Sequence, residues 1–466
     1  MNEQKKHLSL GRNIKIGFFH LGSGMADVLT TGVWNRIMIS DLGFAATPVG
    51  LLVSLRYFLA PLGIWAGRMS DQRTIFGVRR LFWIWLGRLL MVLSTFGLGF
   101  ATAQLARDTS APTAGMWVVL AFALLLFSLG NALSGTTFLA LIYDRASEEQ
   151  RGRAVGIVWT FLLLGFTVGG IIFGILLPES EGSEGLQFAP DALQNLFIIA
   201  GLIFSTLWFF SLLGEERRRD ADPIKAEEAP PQSSMMSDLS LVWRNRSLRF
   251  FFLYLVLSMF FAFSQDLVLE PFAGDVFDMS ASTTNRFAAY WGGTAIVGTI
   301  FFLWLSRRVP RLTNTVMSQM GVAFLTLTFA LFTLSAVAEI RELVRPGLIL
   351  LGVGLGIWNV GTLGLMMDMS PVGRAGTFLG FWTLSVTFAR GGGVAGGGIV
   401  RDIWLQITGS PALSYAVVFG AGAVGLIVAG WCLTRVNAPS FKREVSSTPQ
   451  RSSSDETATI FAGAME

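Results

Sequence analysis

The sequence has few of the residues on which soluble enzymes and metal sites depend. Its 466 residues include one cysteine, Cys432, so an internal disulfide and a cysteine-rich metal cluster are both excluded. Charged residues make up only 14% of the chain, and there are only two histidines. Hydrophobic residues make up 52%, and the mean hydropathy is +0.57. This balance predicts an all-α integral membrane protein.

Long apolar stretches supply the membrane-spanning segments. A helix needs about 20 apolar residues to cross a bilayer. Twelve segments meet this requirement: 14–39, 48–69, 80–102, 114–142, 154–177, 192–213, 248–270, 284–305, 313–337, 346–367, 376–400 and 412–435. We expect no cleavable signal peptide, because the residues before the first segment are polar and basic and no small-residue cleavage site follows.

Positive charge is distributed unevenly between the loops on the two sides of the membrane. Of the 35 lysines and arginines, 26 lie in loops that twelve spans would place inside and five in loops that they would place outside. Because cytoplasmic loops are enriched in these residues, both termini are predicted to be cytoplasmic. The isoelectric point near 9.4 therefore reflects topology, and no nucleic-acid partner is expected.

The polar segment 214–247 divides the twelve predicted spans into two sets of six. It separates an N-terminal bundle, 1–213, from a C-terminal bundle, 248–437, and we expect it to be a cytoplasmic linker. The tail, 438–466, is rich in serine and threonine and is predicted to be disordered. A loose repeat of 143–159 at 367–382 indicates that the two bundles are duplicated halves.

The loop GRMSDQRTIFGVRR, residues 67–80, resembles the signature loop of the major facilitator superfamily. The resemblance implies the fold of that superfamily, with a cytoplasmic gating loop between the second and third helices. The residues that match the signature by position are Gly67, Asp71, Arg73, Arg79 and Arg80.

Several longer stretches resemble the PucC-like bacteriochlorophyll delivery family, a branch of the same superfamily. They are QDLVLEPFAGDVFDMS at 265–280, TTNRFAAYWGGT at 283–294, WNRIMISDLG at 34–43, and RAGTFLGFW with ARGGGVAGGGIVRD within 374–402. The resemblance implies a non-enzymatic factor that assembles light-harvesting complexes in a bacterial inner or intracytoplasmic photosynthetic membrane. Bacteriochlorophyll or chlorophyll would be its cargo, with no other cofactor, and antenna polypeptides would be its partners. Pigment-synthesis enzymes are a further partner class that the resemblance leaves open.

Two carboxylates end the seventh predicted span. Asp266 and Glu270 are four residues apart and are expected to share one face of a helix that Pro271 ends. On a helix running outward, Glu270 would lie near the outer surface and Asp266 about one turn deeper. Two interpretations stay open: the carboxylates are the solvated end of the helix, or they contact pigment or a partner.

The first predicted span contains the chain's only intramembrane histidine, His20. A neutral imidazole is a common axial ligand for a tetrapyrrole metal, so His20 is the main pigment-binding candidate. Trp34 and Asn35, farther along the span, are further candidates for pigment or partner contact. The alternative for His20 is a hydrogen bond between helices. No metal-binding spacing is present.

Four charged residues within the spans form a predicted charge network: Asp27, Arg56, Arg88 and Arg390. Pairing is the least costly arrangement for charges in a membrane. We therefore expect Asp27 to pair with Arg56 or Arg390 and to hold the bundles together. The alternative function is a proton-coupled exporter of a small molecule, in which Asp27 would be the titrating carboxylate.

Overall fold

A computed structural model describes residues 8–107, 113–177, 189–216, 245–369, 375–437 and 441. Within these ranges the regular structure is helical, apart from one isolated bridge between Ile75 and Val78 in the loop after the second span. This agrees with the predicted all-α class.

The helices before the linker are α1 Leu10–Val28, α2 Trp34–Arg36, α3 Ala46–Phe58, α4 Ala60–Gln72, α5 Arg80–Arg107, α6 Ala114–Arg145, α7 Glu148–Leu176 and α8 Pro190–Phe210. Two π-helical turns, Leu29–Val33 and Ile37–Asp41, flank α2 and continue the first span. Such turns contain an extra residue and are frequent at functional sites.

The helices after the linker are α9 Arg246–Ala262, α10 Leu269–Phe277, α11 Ala281–Asn285, α12 Phe287–Arg308, α13 Asn314–Ala338, α14 Val344–Asp368, α15 Ala375–Thr408 and α16 Pro411–Thr434. A single 3₁₀ turn, Arg341–Leu343, precedes α14.

Nine helices or helix pairs in the described ranges are long and apolar enough to cross a membrane. They correspond to nine of the twelve predicted spans. The other three are 14–39, 248–270 and 376–400. The first is polar at several positions, α9 has only 17 residues, and α15 combines many glycines with Arg390. The chain is thus a multi-pass membrane protein, and the count of twelve stays a prediction, as does the cytoplasmic location of the termini.

The seventh span differs from the expectation, because its helix is broken. Helix α9 ends at Ala262, residues 263–268 form turns, and α10 begins at Leu269. Asp266 therefore does not share a helical face with Glu270. Pro271 does not end the helix either: it lies in the first turn of α10, where its missing N–H has no intrahelical partner to lose.

Helix packing places the first span against both sets of helices. Before the linker, α1 packs on α7 and α8, and α5 packs on α6 and α8. After it, α14 packs on α12 and α13, and α16 packs on α9 and α13. Between the two sets, α3 packs on α15 and α7 packs on α12, while the π-helical turns near α2 contact α10 and α11. The predicted domain boundaries themselves stay a prediction, because 217–244 and nearly all of 438–466 lie outside the described residues.

The crossing of α1 and α7 depends on glycine. A Cβ added to Gly165 would clash with the backbone carbonyl oxygen of Leu21 and lie 3.0 Å from the Cα of Gly24. We expect Gly165→Val to lower the yield of monodisperse protein severely, because the backbones could no longer meet. Gly156→Val on the same helix is the matched control, since a Cβ there meets nothing within 4 Å. Equal yields of the two variants in size-exclusion chromatography would contradict this packing.

Candidate functional site

His20 lies on α1 among aromatic rings from three helices. Its ring centroid is 4.8 Å from that of Phe138 and 6.1 Å from that of Trp159, and it stacks on Phe19 at 5.9 Å. The imidazole is partly exposed, and its Nδ1 atom is buried without a hydrogen-bond partner among the described residues. The interhelical hydrogen bond that was the alternative role of His20 is therefore absent from the described residues.

Arg88 is separated from the other three members of the predicted charge network. Its guanidinium lies over the rings of Phe19 at 4.3 Å and Trp208 at 4.7 Å, and Nη1 contacts the sulfur of Met91 at 3.2 Å. The side chain is only 1% exposed. Arg88 thus has no ion-pair partner among the described residues, and cation–π contacts hold it beside the aromatic cluster of His20.

Asp27 and Arg56 form the first ion pair of the membrane interior. Arg56 Nη1 donates to Asp27 Oδ1 at 2.5 Å and to Thr30 Oγ1 at 3.4 Å. The Arg56 side chain is 5% exposed, whereas the Asp27 side chain is 30% exposed. The pair joins α1 to α3, two helices that both precede the linker, so it does not itself bridge the two predicted bundles.

Asp266 and Arg390 form the second pair, which the sequence did not anticipate. Arg390 Nη2 donates to Asp266 Oδ2 at 2.9 Å, and Gln265 Nε2 donates to Asp266 Oδ1 at 2.6 Å. Because the helix is broken at 263–268, Asp266 faces the protein interior. The interpretation of Asp266 as part of a solvated helix end is therefore wrong.

An aromatic group lies between the two pairs. The Cζ atoms of Arg56 and Arg390 are 4.9 and 5.3 Å from the centroid of the Tyr57 ring, and Arg390 also lies 4.2 Å from the ring of Phe263. The four charges therefore form one cluster of zero formal net charge, which we call the central quartet: Asp27, Arg56, Asp266 and Arg390.

Trp34, Asn35 and Glu270 are buried and form part of the packing. Trp34 Nε1 donates to Thr102 Oγ1 at 3.0 Å, and Asn35 Nδ2 donates to the carbonyl of Leu267 at 2.7 Å. Glu270 is 6% exposed and faces Gly32 in the first π-helical turn. The structure thus buries all three side chains, and the interpretation of Glu270 as the solvated end of a helix is wrong.

A network of ion pairs and hydrogen bonds lies at one end of the molecule, near the irregular parts of the first and seventh spans. The sequence analysis did not identify it. Asp402 accepts hydrogen bonds from the backbone N–H groups of Ala46 and Thr47 at 3.0 and 2.7 Å, which caps α3 from the opposite set of helices. Arg401 pairs with both Asp402 and Asp275 at 2.9 Å. The sequence signal was the Arg-Asp pair at the end of the glycine-rich helix.

Another pair at this end involves the first span. Arg36 pairs with Asp41 at 2.8 Å and donates to the carbonyl of Met279 at 2.9 Å. Together with the Asp402 cap, it joins the two sets of helices at this end. The two halves are therefore closed against each other here.

The predicted gating loop lies at the other end. Arg80 pairs with Asp71, and its Nη1 donates to Ser70 Oγ at 2.6 Å. Arg79 pairs with Asp144 at 2.6 Å, and Arg80 pairs with the same carboxylate at 3.1 Å. Gly67 packs against Thr136, and Arg73 is exposed. These contacts bring four of the five loop residues to the base of α4, α5 and α6.

Two acidic residues of this loop region were not identified from the sequence. Asp144 receives both arginines, and Glu216 accepts hydrogen bonds from the backbone N–H groups of Arg79, Arg80 and Leu81, which caps α5. Asp144 lies in the last turn of α6 and is the second residue of the internal repeat, which was its sequence signal. The matching Asp368 accepts from Asn314 Nδ2 at 2.8 Å.

Comparison with known proteins covers nearly the whole chain. The family described as "PUCC protein" matches residues 33–441. The "Protein PucC" of Rhodovulum sulfidophilum is 30% identical over 400 residues, which are 85% of this chain and 86% of that protein. The "Bacteriochlorophyll synthase 44.5 kDa chain" of Rhodobacter capsulatus is 30% identical over 433 residues, which are 91% of this chain and 95% of that protein.

Solved structures establish the fold. An inward-facing, unoccupied bacterial homologue of the lysosomal transporter Spinster has a TM-score of 0.68 at 16% identity and covers 95% of this chain and 99% of its own. A D-xylose-proton symporter has a TM-score of 0.65 at 14% identity, covering 91% and 97%. Both are transporters of the major facilitator superfamily. With its fold and nearly its full length matched, the chain belongs to the PUCC protein family and has the fold of that superfamily.

Proposed function

We propose that this protein is a membrane assembly factor for photosynthetic light-harvesting complexes, which binds bacteriochlorophyll and hands it to antenna polypeptides. Membership of the PUCC protein family supports a role in photosynthesis, and a relative is named as a bacteriochlorophyll synthase chain. The environment of His20 is the structural observation that carries the proposal.

His20 offers what a magnesium tetrapyrrole needs from a protein. An imidazole nitrogen free of hydrogen bonds is a Lewis base that can occupy an axial position of the metal. Phe138 and Trp159 lie around the imidazole, and aromatic rings pack favourably on the flat apolar face of a macrocycle. The guanidinium of Arg88 lies over the ring of Phe19, which itself stacks on the imidazole.

The surroundings of His20 also suit release of the pigment. Metal-binding histidines usually donate their second ring nitrogen to a carboxylate or carbonyl, which makes them stronger ligands. Nδ1 of His20 has no such partner among the described residues. A weaker axial bond fits a carrier, because the pigment must leave it for the antenna polypeptide. The chain would work in a bacterial inner or photosynthetic membrane, without chemistry of its own and with pigment-synthesis enzymes as donors.

The proposal is tested on protein purified from a photosynthetic host. We expect the protein to retain a bacteriochlorophyll near-infrared band after gentle solubilisation. Protein free of pigment under conditions in which antenna complexes keep theirs would contradict the proposal.

One observation favours a different function, proton-coupled export of a small molecule. The fold is that of transporters, and Asp27 is 30% exposed in the middle of its span, where a titrating carboxylate would be placed. Proteoliposomes decide between the two functions, because an exporter would acidify or alkalinise the lumen on addition of its substrate. The assembly factor would produce no such proton flux.

A further inference from the structure

The central quartet contains more hydrogen-bond donors than its acceptors can use. Each guanidinium has five N–H donors and no acceptor. Arg56 uses Nη1, while its Nε and Nη2 atoms are buried without a partner among the described residues. Arg390 uses Nη2, while its Nε atom is buried without a partner. The Tyr57 hydroxyl between them is also buried and unpartnered.

Three of the four carboxylate oxygens of the quartet already accept a hydrogen bond from within the protein. Both oxygens of Asp266 already accept hydrogen bonds, from Gln265 and Arg390, and Asp27 accepts from Arg56. Leaving donors unpaired in a membrane interior is costly, so an oxygen acceptor brought by another molecule would be stabilised there. The side chains of Arg390 and Asp27 are 28% and 30% exposed, so another molecule can approach the quartet from the side on which they lie.

Charge restricts the kind of acceptor. The two carboxylates already balance the two guanidinium groups, so an additional anion would leave an uncompensated negative charge in the membrane. A neutral carbonyl oxygen, from a ketone or an ester, satisfies the donors without changing the net charge. The exposed side of the quartet, where Asp27 and Arg390 lie, is therefore suited to a neutral oxygen substituent.

We propose that the central quartet, with Tyr57, binds a neutral carbonyl oxygen at the edge of a ligand whose metal is held by His20. This inference rests on the proposed function and adds a second contact point. Asp27 follows His20 by seven residues on the same helix, a rise of about 10 Å. That separation is comparable with the distance from the metal of a macrocycle to its peripheral ester or keto groups. The two contacts together would favour tetrapyrroles that have a peripheral carbonyl oxygen over tetrapyrroles that lack one.

The test compares two neutral zinc porphyrins titrated into purified protein and followed by absorbance. Zinc protoporphyrin IX dimethyl ester has ester carbonyls, and zinc octaethylporphyrin has no oxygen. We expect the ester to bind about tenfold more tightly, since a hydrogen bond to a charged donor is worth that factor or more. The double variant Arg390→Met with Asp266→Asn removes one pair without stranding a charge, and it should reduce the preference to within about twofold.

A matched control removes another buried pair on the first span. Arg36→Met with Asp41→Asn eliminates a buried ion pair outside the quartet and should keep the preference for the ester. If the Arg390 double variant fails to fold, Tyr57→Phe replaces it, because that change deletes only an unpartnered hydroxyl; a preference reduced by about threefold or more is expected.

The outcomes separate the inference from the proposed function. If both porphyrins bind equally to the wild type, or if the preference survives in the Arg390 and Tyr57 variants, the quartet does not recognise carbonyl oxygen. When binding in that case still depends on His20, the assembly function stands without the second contact. If neither porphyrin binds, both the inference and the pigment-binding function are overturned.

Discussion

Asp27→Asn is expected to lower the yield of folded protein sharply. The Arg56 side chain is only 5% exposed. Among the described residues, Asp27 is its only ion-pair partner within hydrogen-bonding distance. Removing one partner of a buried pair costs about 3–5 kcal/mol, and the 30% exposure of Asp27 places the expected cost at the lower end of that range. The measurement is the amount of monodisperse protein and its unfolding temperature in detergent.

A second substitution shows whether the loss comes from the stranded cation. Adding Arg56→Met to Asp27→Asn removes both charges, and we expect the yield to return to near that of the wild type. A double variant as poor as the single one would show that the pair is needed for another reason. An Asp27→Asn protein that folds normally but loses proton-coupled flux would favour the exporter.

His20→Ala is expected to abolish antenna assembly in a photosynthetic host while protein abundance stays normal. The change removes the Lewis base but leaves the helix intact, because His20 has no hydrogen bond among the described residues to lose. Near-infrared absorption of whole membranes reports the antenna. His7→Ala is the matched control, since His7 is the other histidine of the chain and precedes the first predicted span.

Chemical rescue makes this prediction specific to the imidazole. Imidazole added to the purified variant could occupy the space that His20→Ala leaves and serve as the ligand, so pigment binding should partly return. Normal antenna absorption in the His20→Ala host would rule out His20 as the pigment ligand. The same would follow if binding were lost equally in the His7 variant.

The fold could be predicted largely from the sequence because membrane helices depend on few constraints. Runs of about 20 apolar residues must be helical in a bilayer, where no water satisfies the backbone. The loop at 67–80 and the longer resembling stretches then pointed to the superfamily and the family, and the fold of the superfamily and membership of the family are confirmed. The cytoplasmic side of the termini is a matter of charge bias and remains a prediction.

The candidate site was only partly predictable, because helix rotation and helix breaks are decided by packing. The sequence indicated that Asp27 pairs with Arg56 or Arg390 inside the membrane, and the structure brings all three into one cluster. The sequence could not show that Arg88 points toward Phe19 and Trp208 instead. Arginine can be held by aromatic faces as well as by carboxylates, and sequence spacing does not distinguish these partners.

Asp266 and Glu270 show the same limit more clearly. Their four-residue spacing predicted one helical face, and Pro271 predicted the end of that helix. The chain instead breaks before the proline, and Asn35 on the first span donates to the carbonyl of Leu267 within the break. Such a break is stable only where another segment supplies partners for the freed backbone, which is a long-range property. Neutralising Asp266 is therefore expected to leave Arg390 without its ion-pair partner.

The near-infrared absorption of the purified protein, measured per mole of chain for the wild type and for His20→Ala, tests the central claim most directly. Both proteins would be expressed in the same photosynthetic host, solubilised identically and freed of antenna complexes. The account predicts a bacteriochlorophyll band of roughly one pigment per chain in the wild type and about a tenfold smaller band in the variant, if one axial bond dominates binding. A wild type without pigment, or a variant with the same pigment content as the wild type, would contradict it.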